Sequence, residues 1–355
     1  MTSSPRVLVI YNTSNSNRPM GDPSVWYRCW GLSELLEEGG ARPHLLGQQQ
    51  LDDEFVAAFD YAAYDLYVFF RPAMTPALAN FLLECDRHRR NVAASYDDLT
   101  FVVASWMMSS TLKSGQQRFR AVEVYRAAAN AFDYFDRFVV SSPQLGQRIR
   151  CIKPHASVAL VENALPRSYA AYADMVGRSE RVRDRVGYFG GGKSHGADLA
   201  LVAESLRTLC AETGARLLCP DYLTDFLPAG HGIAVERFER ANMVGLVALH
   251  GRCRIAIAPL VVDDNAACKS SLKFVEAIAA HVPLVATPLS AFEPYRSLAT
   301  LVEVQQDADW ADALREAWDL AADRELVARE RSQALAILDG GRAAGRAAVL
   351  AWIDP

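Results

Sequence analysis

Short apolar runs alternate with longer amphipathic stretches along the first half of the chain. Apolar runs occupy residues 7–11, 64–70, 92–96, 137–141 and 158–161. Such continuous runs are typical of parallel strands that are buried on both faces. Residues 24–38 and 76–90 have helical character between these runs, and the second stretch ends in basic residues that suit a helix C-terminus. The alternation predicts parallel β-α-β units with right-handed crossovers.

The alternation restarts after a charged stretch at 178–185, which we interpret as a surface linker or a helix end. Further strands are predicted at 186–189, 215–219, 253–260 and 284–287, and further helices at 197–213, 270–281, 308–338 and 341–353. We therefore predict an α/β protein with two Rossmann-like domains, 1–165 and 180–340, and a C-terminal helix, 341–355, that packs back on the first domain. Ligands of such sheets bind beyond the carboxyl ends of the strands, so a central cleft between the domains is the expected site.

Composition and charge narrow the class of protein. The 355 residues suffice for two domains with separate cores, and a net charge of −5 argues against a surface built to bind nucleic acid. Seven widely spaced cysteines without a CxxC motif indicate reduced thiols of a cytoplasmic protein. No signal peptide is evident, and the longest uncharged stretch, 277–292, is too short and too rich in proline to span a bilayer. We expect a cytoplasmic protein, with the inner face of the membrane as an alternative location.

A glycine-rich segment from Gly187 to Ser194 fits the P-loop pattern G-x4-G-K-S. In a P-loop, Lys193 would bind the β- and γ-phosphates, and Asp263 would be the candidate acid for Mg²⁺. However, the residues before this segment are too charged for the buried strand that precedes a P-loop. We therefore favour a different phosphate-binding loop, in which the glycines at 190–192 let the backbone approach a phosphate and the following helix presents its N–H groups.

A second segment, 259–277, combines an apolar strand end with a polar helix start. At about 100° per residue, Lys269, Lys273 and Glu276 share a narrow face of the predicted helix. Lysines near a helix N-terminus oppose the helix dipole, which indicates that an anion binds there. We predict that these lysines and the N–H groups of Ser270 and Ser271 bind a diphosphate, and that Glu276 binds a ribose diol. The alternative is a solvent-exposed surface pair of Lys273 and Glu276.

The stretch 188–292 resembles the donor-binding half of GT-B glycosyltransferases, especially the retaining, GT4-like enzymes. Gly190 stands at the first glycine of the family's glycine-rich segment, and residues 195–199 (HGADL) are similar to its Lys-Gly-x-Asp-x-Leu motif. Glu276 matches the second acid of the family's acid-x7-acid motif. Residues 280–286 (AHVPLVA) are similar to the Gly-x-Pro-x-Val turn that follows this motif.

The resemblance implies that a sugar moves from a nucleotide-diphosphate sugar to a hydroxyl group of a glycan or lipid-linked acceptor, with retention of configuration. Lys193 and Lys273 are then expected to stabilise the leaving diphosphate. Cys268 stands where the family has its first acid, and Asn265 or the neighbouring acids are the candidate substitutes. We expect no metal and no other cofactor, because no His/Cys cluster has metal-ligand spacing. The predicted donor-binding residues are Gly190, Gly191, Gly192, His195, Asp198, Asn265, Lys269, Ser270, Ser271 and Glu276.

The first half of the chain is expected to bind the acceptor. Tyr27 and Arg28 follow a polar loop and are predicted acceptor contacts, with an exposed helix charge as the alternative for Arg28. Asp97 and Asp98 end a buried strand, so either carboxylate is a candidate to orient the acceptor hydroxyl or to take its proton, and a helix cap is the alternative. Aromatic and basic residues mix at 106–120, which suits a lipid-linked acceptor or a membrane surface, although an ordinary amphipathic helix is the default interpretation.

Three other functions stay open at this point. A P-loop nucleotide hydrolase or kinase would use Lys193 and Asp263. A non-catalytic sugar-nucleotide-binding protein would account for Cys268 in place of an acid. A sugar-nucleotide epimerase of the same architecture would need a separate acid/base pair, for which the sequence offers no candidate.

Overall fold

In the computed structural model, two α/β units are built around parallel sheets. The structure describes residues 4–13, 21–104, 115–179, 183–190, 196–239 and 241–353, and for 115–121 it describes the backbone alone. Unit 1 comprises Met1–Pro166, Cys268–Ser270 and Asp339–Pro355, and unit 2 comprises Arg167–Ala267 and Ser271–Leu338. Within the described ranges each unit contains one six-stranded parallel sheet, as the alternation of strands and helices predicts.

The sheet of unit 1 has the strand order β2-β1-β3-β4-β5-β6. Residues along a buried strand alternate between two cores: Tyr67 and Phe69 pack in one core, whereas Val68 and Phe70 pack in the other. This two-sided burial explains the continuous apolar run in β3. The strands are β1 Arg6–Tyr11, β2 Arg42–Gly47, β3 Leu66–Phe70, β4 Asn91–Tyr96, β5 Arg137–Val140 and β6 Ser157–Leu160.

The helices of unit 1 begin at residues that provide local caps. The hydroxyl oxygens of Thr75 and Ser142 accept hydrogen bonds from the backbone N–H groups of Leu78 and Leu145, and each cap is followed by a proline. A π-helical segment, Val25–Trp30, leads directly into the first α-helix. The α-helices are α1 Gly31–Glu38, α2 Asp53–Ala58, α3 Pro76–Arg87, α4 Gly115–Phe132 and α5 Pro143–Ile152.

The sheet of unit 2 has the order β12-β11-β10-β7-β8-β9. When β7 is counted as strand 1 and the order is read from β9 to β12, this is the 3-2-1-4-5-6 order of dinucleotide-binding sheets. The strands are β7 Arg185–Tyr188, β8 Arg216–Pro220, β9 Val235–Phe238, β10 Cys253–Ala258, β11 Leu284–Ala286 and β12 Leu301–Glu303. The helices are α6 Arg167–Arg178, α7 Gly196–Leu201, α8 Ala203–Thr213, α9 Met243–His250, α10 Asp264–Ala267, α11 Leu272–Ala279, α12 Trp310–Leu320 and α13 Arg324–Leu350.

The last helix differs from its prediction. The sequence pattern predicts a helix that ends near 338 and a separate one from 341, but α13 runs without a break through Gly340 and Gly341. A glycine inside a helix costs only about 1 kcal/mol, so two of them do not end a helix that is held by packing. Residues from Asp339 onward belong to unit 1, where Val349 and Trp352 pack in its core.

Two glycines of α13 should respond in opposite directions to replacement by alanine. A methyl group at Gly345 would overlap the backbone carbonyl oxygen of Leu160, whereas no atom of the described residues lies within 4 Å of the equivalent position at Gly340. We expect Gly345→Ala to lower the free energy of unfolding by about 2 kcal/mol through overpacking, and Gly340→Ala to raise it by about 0.5 kcal/mol. Urea unfolding of both variants checks the signs, and a loss at Gly340 or no loss at Gly345 would contradict this packing.

Candidate functional site

In the sheet of unit 2, the strand order reverses at β7. The chain adds β8 and β9 on one side of β7 and β10, β11 and β12 on the other side. Ligands of such sheets bind beyond the carboxyl ends of the strands at this switch point. The segment after β7 and the segment after β10 meet there, because the Asp198 carboxylate in α7 accepts a hydrogen bond from the backbone N–H of Val261 at 2.8 Å. Asp198, a predicted donor-binding residue, is buried, and this bond fixes the loop after β10.

Aromatic side chains of unit 2 contact Gly190 and Gly196, the residues on either side of 191–195. The Tyr222 hydroxyl donates a hydrogen bond to the carbonyl oxygen of Gly190 at 2.8 Å. A methyl group at Gly196 would overlap the ring of Phe226, so only glycine fits at the start of α7. Four further predicted residues, Gly191, Gly192, Lys193 and His195, lie outside the described residues.

The first glycine of the P-loop pattern lies inside a strand. Gly187 is part of β7 and pairs in register with Leu218 on one side and Ala256 on the other. In a P-loop, that glycine opens the loop beyond the strand end. The sequence match therefore lacks the structural context of a P-loop.

Helix α11 provides the predicted pair of charged residues. The Glu276 carboxylate is 4% exposed, and its Oε2 atom accepts a hydrogen bond from Lys273 Nζ at 2.8 Å. The Lys273 side chain is 39% exposed. The alternative of a solvent-exposed pair is wrong for Glu276, because α11 buries its carboxylate together with the apolar face that contains Phe274 and Ile278.

A histidine that sequence reasoning missed lies near this pair. His250 ends α9, is buried, and stacks on the ring of Phe189, which directly follows β7; the ring centroids are 3.9 Å apart. Its Nδ1–H group donates to the carbonyl oxygen of Leu246. Burial lowers the pKa of His250, and the negative charge of Glu276 opposes this shift. The imidazole is therefore neutral at pH 7. Because Glu276 acts electrostatically on His250, and His250 stacks on Phe189, the Glu276 charge reaches the region directly after β7.

This lowered pKa predicts a pH effect on stability. Below about pH 6.5 the unfolded chain protonates His250 more readily than the folded chain does, so the free energy of unfolding should fall as the pH falls from there. The slope due to this group is at most about 1.4 kcal/mol per pH unit. Urea unfolding between pH 7.5 and 5 should show a smaller slope for His250→Gln than for the unchanged protein. The exposed His155 serves as the control, and equal slopes for His250→Gln and His155→Gln would contradict the prediction.

The prediction that Lys269 shares a helix face with Lys273 is wrong. Helix α11 begins at Leu272, with Ser271 as its buried N-cap residue, so Lys269 lies before the helix. The tripeptide Cys268–Ser270 belongs to unit 1, where Cys268 is buried in the core and its carbonyl oxygen accepts a hydrogen bond from Ser142 Oγ at 2.7 Å. The side-chain amide of Asn163 donates to Ser270 Oγ at 3.2 Å. Because these hydrogen bonds hold residues 268–270 in a non-helical segment before α11, Lys269 does not lie on the helix face of Lys273 and Glu276.

In unit 1, four charged residues meet beyond the carboxyl ends of β3 and β4. We call Arg71, Asp97, Asp98 and Lys269 the Arg71 cluster. Arg71 Nε lies 2.5 Å from Asp97 Oδ1, Arg71 Nη2 lies 2.8 Å from Asp98 Oδ2, and Lys269 Nζ lies 2.6 Å from Asp98 Oδ1. Burial raises the pKa of Asp97, with Arg71 opposing the shift and Asp98 adding to it. Sequence reasoning missed Arg71, although an arginine directly after a buried strand was a usable signal.

Both predicted acceptor contacts on the first helical segment are buried. Arg28 is 1% exposed, so the alternative of an exposed helix charge is wrong. Its guanidinium donates to Ser95 Oγ at 2.8 Å and to the carbonyl oxygen of Val161. Burial lowers its pKa to about 10, with Asp97 as the main opposing charge. The preceding residue, Tyr27, is also buried.

The predicted residues that the structure describes fall into two groups, one in each unit. Unit 1 contains Tyr27, Arg28, Asp97, Asp98, Lys269 and Ser270, and unit 2 contains Gly190, Asp198, Asn265, Ser271, Lys273 and Glu276.

Three polar side-chain atoms in or next to these groups are buried and have no hydrogen-bond partner among the described residues. They are Arg28 Nη2, Asn163 Oδ1 and Asn265 Oδ1.

The part of the chain that the structure describes contains no group of three or more His, Cys, Asp or Glu side chains that are placed to hold a metal ion. None of its helices combines the length and the apolar character that are needed to cross a membrane.

No protein-family model and no curated protein matches this sequence. Among solved structures, a glycosyltransferase from Rickettsia africae ESF-5 is similar over 99% of this chain and 98% of its own, with a TM-score of 0.63 and 10% identity. An α,α-trehalose-phosphate synthase (UDP-forming) from Burkholderia xenovorans, in complex with glucose-6-phosphate, has a TM-score of 0.60 and 12% identity, with 99% and 100% covered. A putative UDP-N-acetylglucosamine 2-epimerase from Listeria monocytogenes has a TM-score of 0.55 and 12% identity, with 99% and 96% covered. The chain thus has the GT-B fold, which transferases and an epimerase share.

Proposed function

We propose that this protein is a glycosyltransferase that moves a sugar from a nucleotide-diphosphate sugar to a hydroxyl group of a glycan or glycoconjugate acceptor, with retention of configuration. The observation that carries the proposal is the buried Glu276 carboxylate beside Lys273, in a unit whose sheet has the strand order of nucleotide-binding sheets. Carboxylate oxygens accept hydrogen bonds from hydroxyl groups such as those of a ribose.

On the donor side, Glu276 would accept hydrogen bonds from the ribose hydroxyls, as acids do in other nucleotide sites. Lys273 would bind the diphosphate, whose negative charge grows as it leaves. The backbone around Gly190, which Tyr222 holds in place, would lie against the phosphates. The stacked rings of Phe189 and His250 form an uncharged surface directly after β7, because the imidazole carries no charge at pH 7.

On the acceptor side, the Arg71 cluster is the proposed site. The raised pKa of Asp97 brings its carboxyl closer to the range in which a group can take and return a proton. In the proposed reaction, the bond between the anomeric carbon and the diphosphate oxygen breaks, and its electron pair leaves with the nucleoside diphosphate. The acceptor oxygen bonds to that carbon, and the acceptor proton passes to the Asp97 carboxylate. The acceptor class includes lipid-linked glycans, and the expected location is the cytoplasm or the inner face of the membrane.

The fold supports a sugar-nucleotide function but does not choose between transfer and epimerisation. One of the similar structures is named a glycosyltransferase and another a UDP-forming trehalose-phosphate synthase, whereas the third is named a putative epimerase. Transfer requires a second substrate with a free hydroxyl group, and epimerisation does not. Dependence on an acceptor therefore separates the two.

The test is incubation of the protein with a panel of nucleotide-diphosphate sugars, each with and without oligosaccharide or lipid-linked acceptors. We expect release of a nucleoside diphosphate only when an acceptor is present, with the new glycosidic linkage in the donor's anomeric configuration by proton NMR. A changed sugar without acceptor would identify an epimerase. Release of phosphate from ATP that depends on Lys193 would identify a P-loop enzyme, and donor binding without any turnover would identify a non-catalytic binding protein.

A further inference from the structure

Unit 2 contains a cavity of about 730 Å³ at the amino end of its sheet. Arg183 precedes β7, Arg254 is the second residue of β10, and His281 precedes β11. Because the strands are parallel, these positions share one edge of the sheet, opposite the edge where the proposed donor site lies. Five arginines and a histidine line the cavity: Arg178, Arg183, Arg254, Arg324, Arg331 and His281. We call it the arginine cavity.

Backbone carbonyl groups at helix ends hold three of these arginines. Arg183 donates to the carbonyl oxygen of Gly177, in the last turn of α6, and to that of His281, two residues beyond α11. Arg331 Nε donates to Ala279 at 3.1 Å, and Arg254 Nε donates to Trp318 at 2.8 Å. The carbonyl ends of helices carry partial negative charge, which favours cations there. These bonds use one or two N–H groups of each guanidinium, which has five.

Among the residues that the structure describes around the cavity, positive charges outnumber negative ones. Asp174 lies 3.0 Å from Arg178, 3.4 Å from Arg331 and 2.8 Å from His281. Among the described residues, Arg183, Arg254 and Arg324 have no ion pair with a carboxylate. Asp184, which follows Arg183, pairs with Arg185, and Asp323, which precedes Arg324, accepts a hydrogen bond from the backbone N–H of Leu326 and so caps α13. Burial lowers the pKa of Arg183, and the nearby Arg324 lowers it further, so the guanidinium groups repel one another.

We propose that the arginine cavity binds a small organic anion that carries phosphate groups. Guanidinium groups bind phosphate oxygens through paired N–H groups, and several of them around one space match a multiply charged phosphate. The cavity has the volume of a small-molecule site, and Val327, Ala321 and Ala328 supply apolar lining for the remainder of the ligand. The site does not depend on the proposed donor site. A soluble metabolite and a lipid headgroup offer the same phosphate chemistry.

Isothermal titration calorimetry with inorganic pyrophosphate tests the site at constant ionic strength. The Lys273→Ala variant is titrated, so that binding at the proposed donor site does not contribute. We expect one pyrophosphate per chain, and at least about tenfold weaker binding when Arg324→Ala or Arg254→Gln is added. Arg324 is exposed and has no described side-chain hydrogen bond, so Arg324→Ala should fold. Arg329→Ala, on the same helix but outside the cavity lining, is the matched control and should bind as before.

A second experiment distinguishes a soluble phosphate compound from a lipid headgroup. Sedimentation with vesicles of phosphatidylglycerol, compared with phosphatidylcholine, measures binding to anionic headgroups. Binding of pyrophosphate alone identifies a soluble ligand, and binding of anionic vesicles that Arg324→Ala weakens identifies a headgroup; either supports the site. If neither probe binds, or if Arg254→Gln and Arg324→Ala bind pyrophosphate and vesicles like Arg329→Ala, the proposal is overturned and the arginines serve only to hold the helix ends.

Discussion

Replacement of Glu276 by glutamine should lower kcat/KM for the nucleotide-sugar donor by about a hundredfold, which corresponds to about 2.7 kcal/mol of transition-state stabilisation. Glutamine keeps the shape of the side chain but lacks the negative charge, so Lys273 loses its ionic partner and the ribose hydroxyls lose charge-assisted hydrogen bonds. The measurement is the initial rate of sugar transfer against donor concentration, at saturating acceptor.

Glu316→Gln is the matched control, because Glu316 is an exposed glutamate of α12 in the same unit. We expect its kcat/KM to stay within about twofold of the unchanged protein, since isolated surface charges contribute little. A Glu276→Gln variant that keeps its donor kcat/KM within about threefold would show that this carboxylate does not bind the donor.

The second large effect concerns stability. Arg71→Met should lower the free energy of unfolding by about 3 kcal/mol, because it removes the hydrogen-bonded cation from the buried Asp97 carboxylate. Asp97 is 8% exposed and would lose its contact with Arg71, whereas Asp98 would keep Lys269. Urea unfolding at pH 7 measures the change.

Arg87→Met is the control for this variant. Arg87 is 71% exposed and pairs with Glu84 on the surface of α3, so its loss should change the free energy of unfolding by at most about 0.5 kcal/mol. The double variant Arg71→Met/Asp97→Asn should recover part of the stability, since it removes the uncompensated charge as well. Equal effects of Arg71→Met and Arg87→Met would contradict the account of the Arg71 cluster.

The sequence was most informative where strands are buried on both faces. Strands β3 and β4 follow from apolar runs alone, because both faces contact helices. The strands β2, β9 and β12, which lie at sheet edges, were missed. Each has a mixed or short pattern: β2 contains Pro43, and β12 has three residues. Edge strands pack on fewer neighbours, so their side chains carry a weaker signal.

The candidate site shows the same limit of local patterns. Lys273 and Glu276 were predictable because they lie one turn apart on a helix. The placement of Lys269 was wrong because residues 268–270 are held by distant parts of the chain, such as Ser142, and α11 begins only at Leu272. His250 was missed because it ends an otherwise apolar helix, and its role depends on contact with Phe189, which is 61 positions earlier in the chain.

The most direct test of the central claim is a thermal-shift screen against UDP, GDP, CDP, dTDP, ADP and ATP, each with and without Mg²⁺. A ligand that binds only the folded protein raises its melting temperature. The account predicts a shift with one nucleoside diphosphate, independent of Mg²⁺, that is lost in Lys273→Ala and in Glu276→Gln. A shift that appears only with Mg²⁺ and ATP and persists in Glu276→Gln, or no shift with any nucleotide, would contradict the proposed donor site.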